Sequence, residues 1–327
     1  MCHPSLGISQ RQLQLPRSSD SSEGRKDLLA MATLDSLFDQ FLRERTYLKN
    51  VSPKTRVWYE SAWKAFKLSQ PVDLATSEIS AGALTRAHLS AFVVASRDRG
   101  LRPVSVNTWL RALNAYCRWL QEEGVLRERV KLQPLRVEKR LVKTVDDAAL
   151  RALLNYKPVG YSQWRVHTMI CTILDTGCRI DEMLTARVRD FDLDNLLLTV
   201  IGKGDKQRIV PISFELRKRL VRFGQVKTRK GIADEFMFPT RDGGRWQQRN
   251  ALRSYYLLLG RMRLAKSGFH RLRHTFATEY LKHGGDVVRL SKILGHADVT
   301  TTMKYVHLVT SDLQEAHQRL SILARLR

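Results

Sequence analysis

Two short runs, Leu196–Ile201 and Gln207–Ile212, rich in Leu, Val and Ile, carry the strand character of this 327-residue chain. Gly202-Lys203-Gly204-Asp205-Lys206 lies between them as a turn, so they read as one hairpin. The rest of the patterned sequence repeats its apolar residues at three- and four-residue steps, the spacing of amphipathic helices. The chain is therefore expected to be mainly α with a small β-sheet.

The helical segments fall into two groups. Thr33 to about Tyr47 places Leu34, Leu37, Phe38, Phe41 and Leu42 on one face. Ser52-Pro53 supplies an N-cap and a proline at the first helical position. The helix it opens runs to about Leu68 and is expected to bury Val57, Trp58, Ala62, Ala65 and Phe66. A third helix, Leu84 to Arg99, ends at Gly100. A fourth, Pro103 to Glu123, aligns Val106, Leu110, Leu113, Tyr116, Cys117 and Leu120 before Gly124 stops it. Four helices with short connections predict a small all-α bundle over 32–124. Residues 125–143 then lose apolar periodicity and hold Arg127, Arg129, Lys131, Arg136, Lys139, Arg140 and Lys143 around Pro134. This stretch reads as a basic, extended linker able to let two domains clamp a partner. Residues 1–31, rich in Ser, Arg and Gln, are expected to be a disordered extension, within which Met31 is a second candidate start.

The second group begins with helices near Asp146 and over about Gln163 to Asp175. Gly177 is suited to end the latter in a left-handed conformation, which leaves Arg179 at the start of a short helix where it can meet an anion. After the hairpin come helices at about Glu215–Phe223 and Trp246–Leu264. The helix opening at His270 has an apolar stripe of Leu272, Phe276 and Tyr280, with His270 and Arg273 together on another side. Gly284-Gly285 ends it. Asp286 caps the next helix, Gly295 closes it directly before His296, and Val299 to about Leu308 carries Tyr305. A lysine between two glycines can give a proton to a leaving oxygen.

Charge narrows the partner. Lys and Arg outnumber Asp and Glu by 56 to 32, a formal net charge of +24 with a sequence pI near 10.3. Such an excess favours a polyanion bound through its phosphates. Lys54, Arg56, Lys64, Arg111 and Arg118 lie beside Ser105, Asn107 and Thr108. Arg245, Gln247, Gln248, Arg249 and Arg253 form a second mixture. Cations and short polar groups together suit DNA, with cations to phosphates and amides to base edges. The four cysteines, Cys2, Cys117, Cys171 and Cys178, form no C-x-x-C pair and read as reduced thiols of a cytoplasmic protein. No apolar run approaches the roughly 18 residues of a membrane span.

Singly, each of these features is ordinary, since a turn lysine, a helix-start arginine and a core tyrosine are common. In order, Arg179, Lys203, His270, Arg273, His296 and Tyr305 resemble the signature of the tyrosine recombinase (phage integrase) family. Thr176–Leu184 is similar to its first arginine box and Ile201–Ile212 to its lysine hairpin. His270–Thr278 and Leu294–Tyr305 are similar to its second box, including the step from His296 to Tyr305. The resemblance spans about 33–310, is strongest in the last third, and is nearest to Xer-like and integron- or phage-type members.

What the resemblance implies is specific. The fold would be an N-terminal α-helical core-binding (SAM-like) bundle, 32–124, joined by the linker 125–143 to a DNA breaking-rejoining catalytic domain, 144–310, with a helical tail, 311–327. Tyr305 would attack a scissile phosphate to give a 3′-phosphotyrosyl bond. Arg179, Arg273 and His296 would hold its oxygens, with Glu182 orienting one of these groups. His270 would accept the tyrosine proton and Lys203 would protonate the 5′ oxygen. No metal or nucleotide cofactor is implied. The partners would be double-stranded DNA with paired inverted core sites, a homotetramer built as a dimer per site and passing through a Holliday junction, and an accessory factor setting direction. Three other readings stand beside it: a type IB topoisomerase-like DNA-relaxing enzyme, a non-catalytic DNA-binding protein on the same fold, and a zinc enzyme. The zinc reading is the weakest, because the histidines lack the accompanying carboxylates or thiols of a metal set.

Overall fold

The computed structural model describes residues 32–69, 81–138, 142–202, 206–233 and 235–306. It divides into two compact units, Met1–Lys139 and Arg140–Arg327. The expected extension 1–31, Lys203 of the hairpin turn and the tail 311–327 lie outside the described residues. The architecture is mainly helical with one small sheet, as the periodicity predicts, and no described helix is long and apolar enough to cross a membrane.

The first unit contains α1 (Leu34–Tyr47), α2 (Pro53–Lys67), a 3-10 turn (Ala81–Ala83), α3 (Arg86–Asp98) and α4 (Pro103–Glu122). Thr33 and Ser52 cap α1 and α2 by accepting from the backbone N–H three residues on, and Pro53 opens α2. The predicted stripes of α1 and α4 are buried throughout. α2 departs from expectation. It buries Tyr59, Ala62, Trp63 and Phe66, spaced three, one and three residues apart, and leaves Val57 58% exposed. The aromatic rings decide this rotation. Trp63 stacks on Phe38 at 4.9 Å, Tyr59 meets Phe41 edge-on at 5.0 Å, and Tyr116 meets Phe38 edge-on at 5.2 Å. Such pairs outweigh the area one valine side chain can bury.

The start of the predicted linker is not free of the bundle. Val125 and Leu126 are buried in its core, and Val130, Leu132 and Leu135 pack against it. Two asparagines on α4 fix the strand-like segment. Asn107 donates from Nδ2 to the Leu135 carbonyl (2.8 Å) and accepts the Leu135 N–H (2.7 Å). Asn114 does the same for Leu132 at 2.9 and 3.1 Å. Each side-chain amide thus satisfies both backbone groups of one linker residue, as a neighbouring strand would. Asn107, a candidate for reading a base edge, is thereby committed to the chain's own backbone.

The second unit runs α5 (Asp147–Asn155), α6 (Tyr161–Thr176), α7 (Ile180–Thr185), β1 (Phe191–Asp192), β2 (Leu197–Ile201), β3 (Gln207–Pro211), α8 (Phe214–Arg229), α9 (Gln248–Arg261), α10 (Phe269–Lys282), α11 (Val287–Leu294) and α12 (Thr300–Val306). The sheet is antiparallel in the order β1-β2-β3, with Leu198 opposite Val210 and Val200 opposite Arg208. Its first strand has two residues, too few to leave an alternation in sequence. α6 is the centre of the unit. Val166, Met169, Ile170 and Ile173 are buried, and so are His167, Thr168 and Thr172, so no face of the helix is a solvent face. α8, α9 and α10 pack around it.

Asn114→Ala removes both hydrogen bonds that hold Leu132 and leaves two part-buried backbone groups without them. The expected cost is roughly 1–3 kcal/mol of stability in the first unit. Limited proteolysis between residues 127 and 138 should accelerate, whereas Arg118→Ala, an exposed change on the same helix, should leave the cleavage rate unaltered.

Candidate active site

Gly177 is where the site begins. It ends α6 with φ +64°, and a Cβ placed there would lie 2.3 Å from Phe276 Cδ1 and 2.8 Å from Leu294 Cδ2. Glycine therefore serves both the left-handed turn and the close approach of α10 and α11. The turn delivers Arg179 to the start of α7. The N–H of Arg179 does not await an external anion, because the Glu182 carboxylate accepts it at 2.7 Å.

Glu182 is a junction. It also accepts from Arg179 Nη1 (3.1 Å) and, through both oxygens, from Arg208 Nη1 and Nη2 (2.8 Å each). Burial alone would raise this carboxyl's pKa, but hydrogen bonds from Arg208 and the Arg179 N–H hold it below its ordinary value. Arg208 reaches further, donating from Nε to the Ile293 carbonyl at 2.8 Å. It ties β3 to the last turn of α11 and orders Arg179 through Glu182. Arg208 has no place in the sequence-derived set, although its inward strand position beside Val210 is the kind of clue that marks a buried ion pair.

The two predicted arginines meet at one atom. The carbonyl oxygen of Leu294 accepts from Arg273 Nη2 at 2.8 Å and from Arg179 Nη1 at 3.4 Å. It sits at the C-terminal, electronegative end of α11. Arg273, 4% exposed, also donates to the Gly177 carbonyl (2.7 Å), and its Nη2 lies 3.1 Å from His296 Nε2. Gly295, with φ +65°, turns the chain so that His296 follows immediately. The other nitrogen of His296, Nδ1, lies 2.7 Å from the Thr302 hydroxyl, which sets the ring's orientation. Arg179, Arg273 and His296, drawn from three separate segments, thus form one cluster.

Tyr305 lies within it. Its ring is 1% exposed and packs with Ala277, Leu290 and Leu294. Its hydroxyl is 2.7 Å from His274 Nδ1. The sequence-derived partner, His270, occupies the exposed side of α10, its ring centroid 6.2 Å from that of His274, and makes no hydrogen bond to Tyr305. Burial raises the phenol's pKa while the charges of Arg273 and Arg179 pull it down, so both guanidiniums act on the hydroxyl. Lys304 lies 4.9 Å from the centroid of the Tyr305 ring.

Electrostatically the cluster is dominated by positive charge. Arg179 and Arg208 pair with the Glu182 carboxylate, and Arg273 and Lys304 add further cations that act on one another. Burial, then the Arg179 charge, press the Arg273 guanidinium down to about 10. Burial, then Arg273 and Arg179, push His296 down to about 4; burial, then Lys304, His270 and Arg273, push His274 to about 4. His270 and Lys304 are depressed by the same causes. Both arginines can swing N–H groups from carbonyl oxygens onto a tetrahedral oxyanion, and neutral imidazoles can bond it without adding charge. Of the residues suited to DNA, Lys54, Arg56, Lys64 and Arg111 are exposed in the first unit, and Arg245, Gln248 and Arg253 in the second.

Residues 143–311 match the phage integrase family. The chain is 34% identical to the tyrosine recombinase XerC of Xanthomonas campestris over 231 residues, 69% of this chain and 70% of the relative. It is 26% identical to the tyrosine recombinase XerD of Proteus mirabilis over 95% of this chain and 98% of the relative. Among solved structures, the Tn1549 transposon integrase with circular intermediate DNA shares the fold at TM-score 0.69 and 20% identity, covering 84% of this chain and 95% of its own. The XerH site-specific recombinase on its difH substrate does so at TM-score 0.66 and 19% identity, over 86% and 83%.

The depressed histidines carry a sign that calorimetry can read. His274 and His296 ionise near 4 in the folded chain and near 6.5 when unfolded, so between these values the unfolded chain binds more protons. Stability is expected to fall as pH drops from about 6.5 towards about 4. His296→Gln should reduce the slope of Tm against pH in that window, and sulfate should restore Tm most strongly at its acid end. A Tm that is flat or rises on acidification would contradict the charge assignment.

Proposed function

The chain belongs to the phage integrase family of tyrosine-type site-specific recombinases, which act on DNA, and from that membership we propose how its site performs strand transfer. The observation that carries the reading is the convergence of Arg179 and Arg273 on the Leu294 carbonyl beside His296 and the Tyr305 hydroxyl, with positive charge in excess. A scissile phosphate supplies the missing anion.

Arg179 and Arg273 bind its two non-bridging oxygens, and His296 adds a hydrogen bond. The arginine charge is in place before the phosphorane forms, so little reorganisation accompanies the reaction. Tyr305 attacks the phosphorus and a 3′-phosphotyrosyl ester forms as the bond to the 5′ oxygen breaks. Lys203, which falls in the sequence between β2 and β3, protonates that oxygen. The ester preserves the phosphodiester's energy for rejoining to a second strand, so neither a metal nor ATP enters the scheme. Glu182 and Arg208 are positioning residues, holding Arg179 in its cage. His270, three residues before Arg273, lines the exposed rim where the phosphate arrives.

Because the ring of Tyr305 is sheltered, attack on a duplex includes a local shift of α12 that brings its hydroxyl to the phosphorus while keeping it within reach of His274. The family's exchange of two strand pairs needs four copies of this chain on two inverted core sites, through a Holliday junction. The λ integrase dimer on a core site is one related arrangement. Exposed Lys54, Arg56, Lys64 and Arg111 of the bundle, Arg245 just before α9, and Gln248 and Arg253 of α9 face the duplex in this reading, in the cytoplasm of a bacterial host. The bundle over 32–124, the catalytic region 144–310 and the tail 311–327 are the corresponding functional parts.

A nicked suicide duplex from the DNA flanking its own coding sequence tests this reading. Wild-type protein should form a covalent protein–DNA adduct insensitive to EDTA, and Tyr305→Phe should abolish it while retaining binding. Arg273→Ala should slow adduct formation by about 10²–10³. Affinity should fall on the order of 10³-fold between 50 and 200 mM salt. Relaxation of supercoiled DNA without recombinant products would favour the topoisomerase reading instead.

A further inference from the structure

We infer that His274 is the group that takes the proton from Tyr305 as the phosphotyrosyl bond forms. This rests on the proposed nucleophilic role of Tyr305 and adds a residue to the reacting set. The Tyr305 hydroxyl lies 2.7 Å from His274 Nδ1, within the distance a proton transfer needs. The two rings are 5.6 Å apart, centroid to centroid, at 53°, so the imidazole plane is turned across the phenol rather than stacked on it. His270 has neither relation to the hydroxyl.

The position of His274 links it to the anion site. It follows Arg273 directly on α10, one turn after His270, so one helical turn presents both the phosphate ligand and the nucleophile's partner. Burial and the surrounding cations keep the ring neutral near neutral pH, which leaves Nδ1 with a lone pair when Nε2 carries the proton. Neutrality is one requirement of a base; affinity for the proton is the other, and in the empty site it is poor. A phosphate held by Arg179 and Arg273 offsets the charges that weaken it, so the basicity of His274 rises when substrate arrives. The tyrosine is then activated on the bound phosphate and not in the free chain.

The step balances. The Oη–H bond breaks and its proton moves to His274 Nδ1, and the freed pair on Oη forms the bond to phosphorus. The bond from phosphorus to O5′ breaks, its pair remains on O5′, and that oxygen takes a proton from Lys203. Rejoining is the reverse, with His274 returning its proton to the departing phenolate.

His274→Asn keeps an acceptor oxygen near the place of Nδ1 but cannot be protonated. In single-turnover adduct formation on the nicked duplex, the wild-type rate should have an acid limb that falls tenfold per pH unit. H274N should be slower by roughly 10²–10⁴ at neutral pH, with a rate that climbs with hydroxide, while binding the duplex as the wild type does. His270→Asn should be slowed less and should keep the acid limb. H274N cleaving at the wild-type rate, or faster, would overturn the inference, the faster result marking the bond as a latch on the sheltered phenol. So would loss of the limb in H270N alone. Should H274N not fold, a wild-type rate without an acid limb would overturn it equally. If Tyr305→Phe still forms the adduct, the nucleophile assignment itself fails.

Discussion

One carbonyl oxygen, that of Leu294, is the point on which this catalytic unit is assembled. It is the negative end of α11, and two guanidiniums from distant parts of the chain donate to it. Two like charges cannot share such a place without support, and the surroundings supply it. Glu182 holds Arg179 through both its carboxylate and the helix start, and Arg208 holds Glu182 from the opposite side. Gly177 permits the approach of α10 and α11, because any side chain there would collide with Phe276 and Leu294. Removing Glu182 or Arg208 does not merely loosen a contact. It leaves a buried charge without its partner, the costliest kind of loss in an ion-pair network.

The same arrangement explains why the histidines are neutral. Imidazoles placed among arginines and partly removed from water resist protonation, so His274 and His296 serve as hydrogen-bonding groups whose charge state responds to an arriving anion. In the proposed reaction, phosphate is bound by charge that already exists and sensed by groups whose basicity it changes. In that reaction the empty and occupied states differ in which oxygens the two guanidiniums hold, carbonyl or phosphate.

Much of this was readable in the chain, and the parts that were not share a cause. The stripes of α1 and α4 and the glycines after α6 and α11 follow from local spacing, whereas Arg179, Arg273, His296 and Tyr305 stood out only as a set resembling a family signature. Arg208, His274 and the paired asparagines Asn107 and Asn114 act on partners far along the chain, and spacing within one element says nothing of them. Val57 was misplaced because its own helix offers two apolar faces, and the aromatic rings of α1 and α4 select between them. The short β1 leaves no pattern at all.

In the proposed reaction both arginines leave the Leu294 carbonyl for the oxygens of a phosphate that Tyr305 attacks. The direct measurement is a crystal structure with a nicked duplex and vanadate. The predicted result has vanadium bonded to Tyr305 Oη, with N–H groups of Arg179 and Arg273 within about 3 Å of its oxygens. Vanadate bound elsewhere, with Tyr305 still buried and both guanidiniums still on Leu294, would contradict it.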